Sequence, residues 1–305
     1  MCNISFILDG YRGIYDQRYI FIVVMGLFYP IMIVANMLII YIICVERSLH
    51  KPMYIFICNL ACINLYGGSG LTPFILTNIV NEKHVITWTA CLIQIFSLHT
   101  YGGCEITNLM VMAYDRYISI CFPLTYEKTM TSSKVTICIA LTWLVPIVRC
   151  TITLNITANL EMCGTIIEKV YCDNYSVVKL ACSYSLVNNI YSATVTVLAV
   201  VLPFFIIFYS YIRIIVISLK LSKSRQAKVM NTCTPHLVAM SNFTIGCCFE
   251  LYQSRFDMSH LPYSVRVFLS LYFLILSPLV NPLVYGIRTK KINEAMRKRI
   301  SHIIH

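Results

Sequence analysis

Seven long apolar stretches recur along the 305 residues, and no other feature restricts the possible folds so severely. They run over Tyr19–Val45, Met53–Val80, Cys91–Cys121, Val135–Thr153, Ser192–Ile217, Thr234–Gln253 and Ser264–Gly286. At about 1.5 Å per residue, each is approximately long enough to cross a hydrocarbon core about 30 Å thick. Lipid offers backbone groups no hydrogen-bond partner, which leaves only helices and closed barrels as spanning structures. These stretches are continuously apolar instead of alternating, so they predict helices. The expected fold class is therefore an all-α membrane protein, a seven-transmembrane helix bundle forming one domain over 1–305. Composition agrees, with 58% hydrophobic and 12% charged residues, about half the charge of a soluble domain. The first stretch is too long for a signal-peptide core and lacks a small-residue cleavage pattern. Residues 1–18 are expected to form a short extracellular tail.

Lysine and arginine set the expected orientation. With the N-terminus outside, the cytoplasmic loops and tail carry Arg47, Lys51, Arg116, Lys128, Lys134, Arg213, Lys220, Lys223, Arg225, Lys228, Arg288, Lys290, Lys291, Arg297, Lys298 and Arg299, sixteen of the 24 basic residues. The opposite face is near neutral. The positive-inside rule then puts the C-terminus in the cytosol. The net charge of +11 is a topological signal that suits anionic lipid and calls for no nucleic acid. At 287–305 the chain predicts an amphipathic helix on the inner membrane surface, with Ile292, Ala295, Met296, Ile300 and Ile303 on its apolar face.

The 15 cysteines divide by position. Most lie in the apolar stretches and read as small packing residues. Cys91 sits at the outer end of the third stretch, and Cys163, Cys172 and Cys182 lie in the long outer connection Leu154–Tyr191. Four cysteines in an oxidising compartment allow three pairings, which the residues alone leave open. Of the glycosylation sequons, Asn3-Ile4-Ser5 is the best placed, in a free extracellular tail, ahead of those at Asn155 and Asn174.

Polar residues and prolines inside the stretches are where function is expected. Asp115 and Arg116 end the third stretch, as an interfacial ion pair or as working groups. Asn36 and Asn64 can face each other and the seventh helix, with interhelical hydrogen bonding as the plain alternative. Glu105 is an acid within the third stretch. In the seventh, Pro278 and Pro282 each remove a backbone donor, and Asn281 and Tyr285 lie beside them, which makes a plausible hinge. Pro203 and Tyr211 repeat that arrangement in the fifth.

Several strings together resemble the odorant receptors among rhodopsin-like G-protein-coupled receptors. They are Met112-Ala113-Tyr114-Asp115-Arg116-Tyr117-Ile118-Ser119-Ile120-Cys121, Lys51-Pro52-Met53-Tyr54, Asn59-Leu60-Ala61, Lys228 with Thr232-Cys233 and His236-Leu237, and Asn281-Pro282-Leu283-Val284-Tyr285-Gly286-Ile287-Arg288. The resemblance implies seven helices plus a short eighth, a small-molecule odorant as ligand and a heterotrimeric G protein of the stimulatory or olfactory type as partner. It implies that Arg116 pairs with Asp115 at rest and turns toward Tyr211 and Tyr285 on activation. It also implies the disulfides Cys91–Cys172 and Cys163–Cys182. Two departures stand out: Asn64 replaces the family's usual aspartate, which puts sodium binding beside Glu105 in doubt, and Phe243-Thr244-Ile245 replaces Phe-Tyr-Gly.

By helical spacing from these motifs, the expected ligand pocket is lined by Leu98, His99, Gly102, Gly103, Val195, Ala199, Cys247, Cys248, Leu251 and Leu274. A small apolar site with few polar groups suits small organic ligands. His99 reads either as a ligand contact or as a packed, hydrogen-bonded histidine. A non-olfactory receptor for a peptide or lipid is the nearest alternative. A transporter would show repeat symmetry and paired broken helices. An enzyme would show a metal-ligand motif or a nucleophile–base constellation. The sequence shows none of these features, and no cofactor or metal is expected. The expected location is the plasma membrane.

Overall fold

The computed structural model describes residues 4–81, 84–183, 186–256, 258 and 261–304. The principal helices are α1 (Arg18–Val45), α2 (Pro52–Val80), α3 (Trp88–Cys121) and α4 (Ser132–Ala158). In α5, Leu186–Thr196 passes through a π-helical turn, Val197–Val201, into Leu202–Ser218. Next comes α6 (Lys223–Arg255). In α7, Tyr263–Leu271 passes through a second π-helical turn, Tyr272–Leu276, into Ser277–Arg288. Last is α8 (Lys290–Ile304).

Helix ends depart from the apolar boundaries for local reasons. At the start of α3, Thr87 Oγ1 accepts the Ala90 N–H at 3.4 Å, so the helix begins before Cys91. At α4, Thr131 Oγ1 accepts the Lys134 N–H at 3.3 Å and starts the helix at Ser132. A capping oxygen satisfies an otherwise orphaned N–H, and polar caps lie outside any apolar window. The basic stretch from Lys223, read from sequence as loop, is the first part of α6. Its Arg, Gln, Ala, Lys and Met residues are good helix formers, so no apolar run is needed.

Five helical spans among the described residues are long and apolar enough to cross a membrane, and α3 and α6 are not among them. The reason for α3 is its central place. It packs against α2, α4, α5 and α6, so protein rather than lipid covers Gln94, Thr100, Glu105, Asn108 and Asp115.

The N-terminal segment corrects the expectation of a free tail. Strand β1 (Ser5–Leu8) lies between β2 (Val85–Thr87), which is antiparallel to it, and β3 (Ile166–Ile167), which is parallel. Alternation does the work here: Phe6 and Leu8 are fully buried while Ser5 and Ile7 face out. The sheet leads through a 3-10 segment, Asp9–Gln17, into α1. There Tyr11 Oη donates to the Val170 carbonyl at 2.7 Å, fastening the tail to the long outer loop. Asn3 lies outside the described residues.

On the opposite side, α8 packs against α1 and α7. It buries Ile292 and Ala295 and leaves Lys291, Arg297 and Lys298 exposed. The side chains of Ile300 and Ile303 lie outside the described residues.

Candidate functional site

At the inner end of α3, Arg116 donates to Asp115 Oδ2 through Nη2 at 2.6 Å and Nε at 3.1 Å. Asp115 is fully buried, and its other oxygen accepts from Tyr126 Oη at 2.7 Å. Tyr126 opens a single helical turn just after α3. Burial and then the Asp115 charge push its phenol above the ordinary tyrosine range. Tyr211 makes no hydrogen bond to Arg116 among the described residues. It donates to His236 Nδ1 at 2.5 Å, while His236 Nε2–H donates to the Leu109 carbonyl at 3.0 Å. A carbonyl can only accept, so this geometry assigns the proton to Nε2 and leaves Nδ1 as acceptor. One buried imidazole thus joins α3, α5 and α6. Tyr285 is buried, and its hydroxyl has no hydrogen-bond partner among the described residues. Tyr117 stands apart, with its ring edge against Phe122.

Midway through the bundle, four of the predicted polar residues form one network. Asn64 Nδ2 donates to Asn36 Oδ1 at 3.0 Å, and Asn36 donates to the Pro278 carbonyl at 3.0 Å. Asn281 donates to Asn64 Oδ1 at 3.3 Å and to Glu105 Oε1 at 2.9 Å. Ser277 also donates to Glu105 Oε1, at 2.9 Å. Proline supplies the means: Pro282 removes the backbone N–H that would have bonded to the Pro278 carbonyl, and Asn36 occupies that acceptor. Glu105 meets Asn64 through Asn281, not directly.

The outer half encloses a cavity of about 190 Å³. Its walls include Leu98, His99, Gly102, Gly103, Val195, Ala199, Cys247 and Leu251, all on the expected lining. Cys248 and Leu274 do not line it. One residue along a helix is a rotation of about 100°, which carries Cys248 from the cavity face to the exposed face of α6. The π-helical turn in α7 likewise shifts the spacing, so that Phe273 faces the cavity and Leu274 packs in the core.

The outer loop closes over this space. Cys91 is bonded to Cys172, and Cys163 to Cys182. The Cys172 N–H donates to Gln94 Oε1 at 3.0 Å, a second tie between loop and α3. Asp173, Asn174 and Tyr175 then reach the cavity. Lys169 bridges Asp173 at 3.4 Å and Glu250 of α6 at 3.1 Å. Burial works against the Lys169 charge, but the two carboxylates hold its ammonium above the ordinary lysine range. Burial also works against the Asp173 charge, and Lys169 still brings that carboxyl below its ordinary value. Asn174 is buried and accepts from Thr157 at 2.7 Å, so its sequon is a packing element in the folded chain.

The olfactory receptor family description matches residues 25–303. The chain belongs to the olfactory receptor family. It is 30% identical to human olfactory receptor 4K3 over 300 residues, which is 98% of this chain and 94% of that one. Human olfactory receptor 11A1 is 33% identical, covering 96% and 93% of the two chains. Human olfactory receptor 51E1 is 34% identical, covering 98% and 93%. The fold matches the crystal structure of squid rhodopsin with a TM-score of 0.72 at 20% identity, over 93% of this chain and 80% of that one. The receptor is accordingly a multi-pass membrane protein with the rhodopsin-like fold, a G-protein-coupled receptor and not an enzyme.

Sequence reasoning gave several residues of this receptor no role. His236 entered only as part of a motif string. Arg149 and Glu250 also line the cavity. Each was visible as an ionisable side chain inside or at the edge of an apolar run, which is itself a functional signal. Asp173 offered no such signal, because the loop that delivers it has no periodicity.

Proposed function

We propose that the receptor binds a small organic odorant in the outer cavity and activates a heterotrimeric G protein of the stimulatory or olfactory type, raising cyclic AMP. The N-terminus is extracellular and the C-terminus cytoplasmic at the plasma membrane, as the charge asymmetry argues. One observation carries the reading: the two ends are built for different tasks. The outer end holds a small, largely apolar cavity reached by α3, α5 and α6. At the inner end, Arg116 is held by Asp115 and Tyr211 by His236. A ligand that favours a different arrangement of α6 shifts that resting state by its differential affinity. The pairing of Arg116 then gives way to Tyr211 and Tyr285, opening a crevice for the G protein. A peptide ligand fits poorly, since the loop through Tyr171 and Cys172 is buried over a cavity of only about 190 Å³.

The test is a cyclic-AMP reporter screen against small volatile and water-soluble molecules, run beside Arg116→Ala with surface labelling. Arg116→Ala is expected to reach the surface and lose signalling. Normal signalling at matched surface level removes Arg116 from the mechanism.

A further inference from the structure

Four charged side chains line the outer cavity or its roof, and three of them are occupied with one another. Lys169 holds both Asp173 and Glu250. Asp173 Oδ1 also accepts the Ser176 N–H at 3.3 Å, and Glu250 Oε1 accepts from Gln253 at 2.8 Å. The fourth is Arg149, on the cavity side of α4. No carboxylate lies within ion-pair distance of it among the described residues. Among the described residues its one side-chain hydrogen bond runs from Nη2 to the His99 carbonyl at 3.0 Å. A guanidinium carries five N–H donors in a planar fork that matches a carboxylate.

The surroundings leave room for that fork. Gly103 faces it from α3, where a Cβ would come within 2.6 Å of Nη2. His99 exposes its ring to the same end of the cavity, with no ring hydrogen bond among the described residues. The far walls are apolar: Val195 and Ala199 of α5, Phe243 and Leu251 of α6, and Phe273 of α7. The four charges sum to zero, so pairing decides the sign of the ligand. The carboxylates already have a cation, and the guanidinium has no anion among the described residues.

Building on the ligand-binding reading above, we propose that the cavity selects small organic carboxylates. Arg149 takes the carboxylate in a bidentate pair, the His99 ring donates to it, and the alkyl body lies against α5 and α6. A guanidinium in a membrane span is costly unless it has a partner, and an ionised ligand supplies one. The cavity is below the ~300 Å³ that marks the lower end of sites for drug-sized molecules, which limits the alkyl body to a short chain.

The experiment uses the purified full-length receptor in phosphatidylcholine nanodiscs. Thermal stabilisation is titrated with hexanoate, 1-hexanol, hexylamine and methyl hexanoate. Hexanoate is expected to bind at least about tenfold more tightly than its neutral analogues, a difference of about 1.4 kcal/mol. Arg149→Met is expected to erase that preference, so that hexanoate binds no more tightly than 1-hexanol, and Arg149→Lys to retain part of it. Should Arg149→Met fold poorly, Arg149→Gln keeps a polar side chain that can still reach the His99 carbonyl but removes the charge, and is expected to lose the hexanoate preference as well. Equal binding of hexanoate and hexanol, a preference for hexylamine, or a hexanoate preference that survives both Arg149→Met and Arg149→Gln overturns the proposal. So does the absence of any shift with butanoate, hexanoate or octanoate up to about 10 mM, a threshold equivalent to about 3 kcal/mol of binding. No G protein is present in this assay, so its failure leaves the coupling reading intact. Stabilisation without any cyclic-AMP response in cells sinks the coupling reading alone.

Discussion

Replacing His236 with phenylalanine is expected to raise ligand-independent signalling. His236 is fully buried and makes two hydrogen bonds that cross between helices, accepting from Tyr211 Oη and donating to the Leu109 carbonyl. Phenylalanine fills similar space but leaves that hydroxyl and carbonyl unpartnered. Each buried orphan costs about 1–3 kcal/mol, and part of that is recovered when Tyr211 turns to a new partner. A net loss of about 2 kcal/mol from the resting state changes its equilibrium with the active state about 30-fold. A resting receptor that is about 1% active becomes about one-quarter active. Basal cyclic AMP per surface receptor measures this directly. Tyr211→Phe provides the decisive comparison, because it breaks the same contact and also removes the hydroxyl that the active state uses. Basal activity should rise for His236→Phe and stay low for Tyr211→Phe. If both variants rise together, or neither moves at matched surface level, the latch interpretation is wrong.

Serine at Cys91 or Cys172 should block surface delivery, because that bond closes a separation of 81 residues; loss of a native disulfide costs about 2–5 kcal/mol in small secreted domains. Cys163→Ser opens a separation of only 19 and should be milder, and a surface-label comparison reversing that order refutes it. Asn64→Asp should make agonist potency sodium-sensitive, since it adds a second anionic oxygen donor near Glu105, while the native receptor should respond alike in sodium and in an impermeant organic cation. A strong sodium shift in the native receptor, unchanged by Asn64→Asp, ends that idea. The Lys169–Asp173 pair should stay charged from below the ordinary aspartate value to above the ordinary lysine value. The Asp173 contribution is full above the ordinary aspartate value and is lost progressively as pH falls from there through its lowered value. The Lys169 contribution is full below the ordinary lysine value and is lost as pH rises from there through its raised value. Thermal stability should therefore show no step from this bridge between about pH 5 and 8. Lys169→Met should lower thermal stability by about 3–5 kcal/mol by stranding two carboxylates, and an unchanged melting curve would count against it.

What the sequence disclosed and what it withheld follow from the range of the forces involved. Seven helices are legible because lipid imposes one local demand, an unbroken apolar run, and α1, α2, α4, α5 and α7 meet it outright. Helix ends are set by single polar atoms such as Thr87 Oγ1 and Thr131 Oγ1, which an apolar window does not weigh. The tail was misread for a related reason: Phe6 and Leu8 alternate over four residues, too short a pattern to stand out beside runs of twenty or more. Helical spacing located the cavity walls while the helix stayed regular, and lost them at the π-helical turn Tyr272–Leu276, where one extra residue per turn exchanges Leu274 for Phe273. The chemistry that distinguishes this receptor lies where residues depart from the pattern that makes the fold. Asn64, Arg149, His236 and Glu250 are polar or ionisable in spans that lipid would keep apolar, and each is tolerated because another helix or the roofing loop supplies a partner. Arg149 is the one whose partner among the described residues is a single backbone carbonyl, a neutral group facing a full charge. That mismatch on the wall of the cavity marks the place where a ligand has the most electrostatic work left to do.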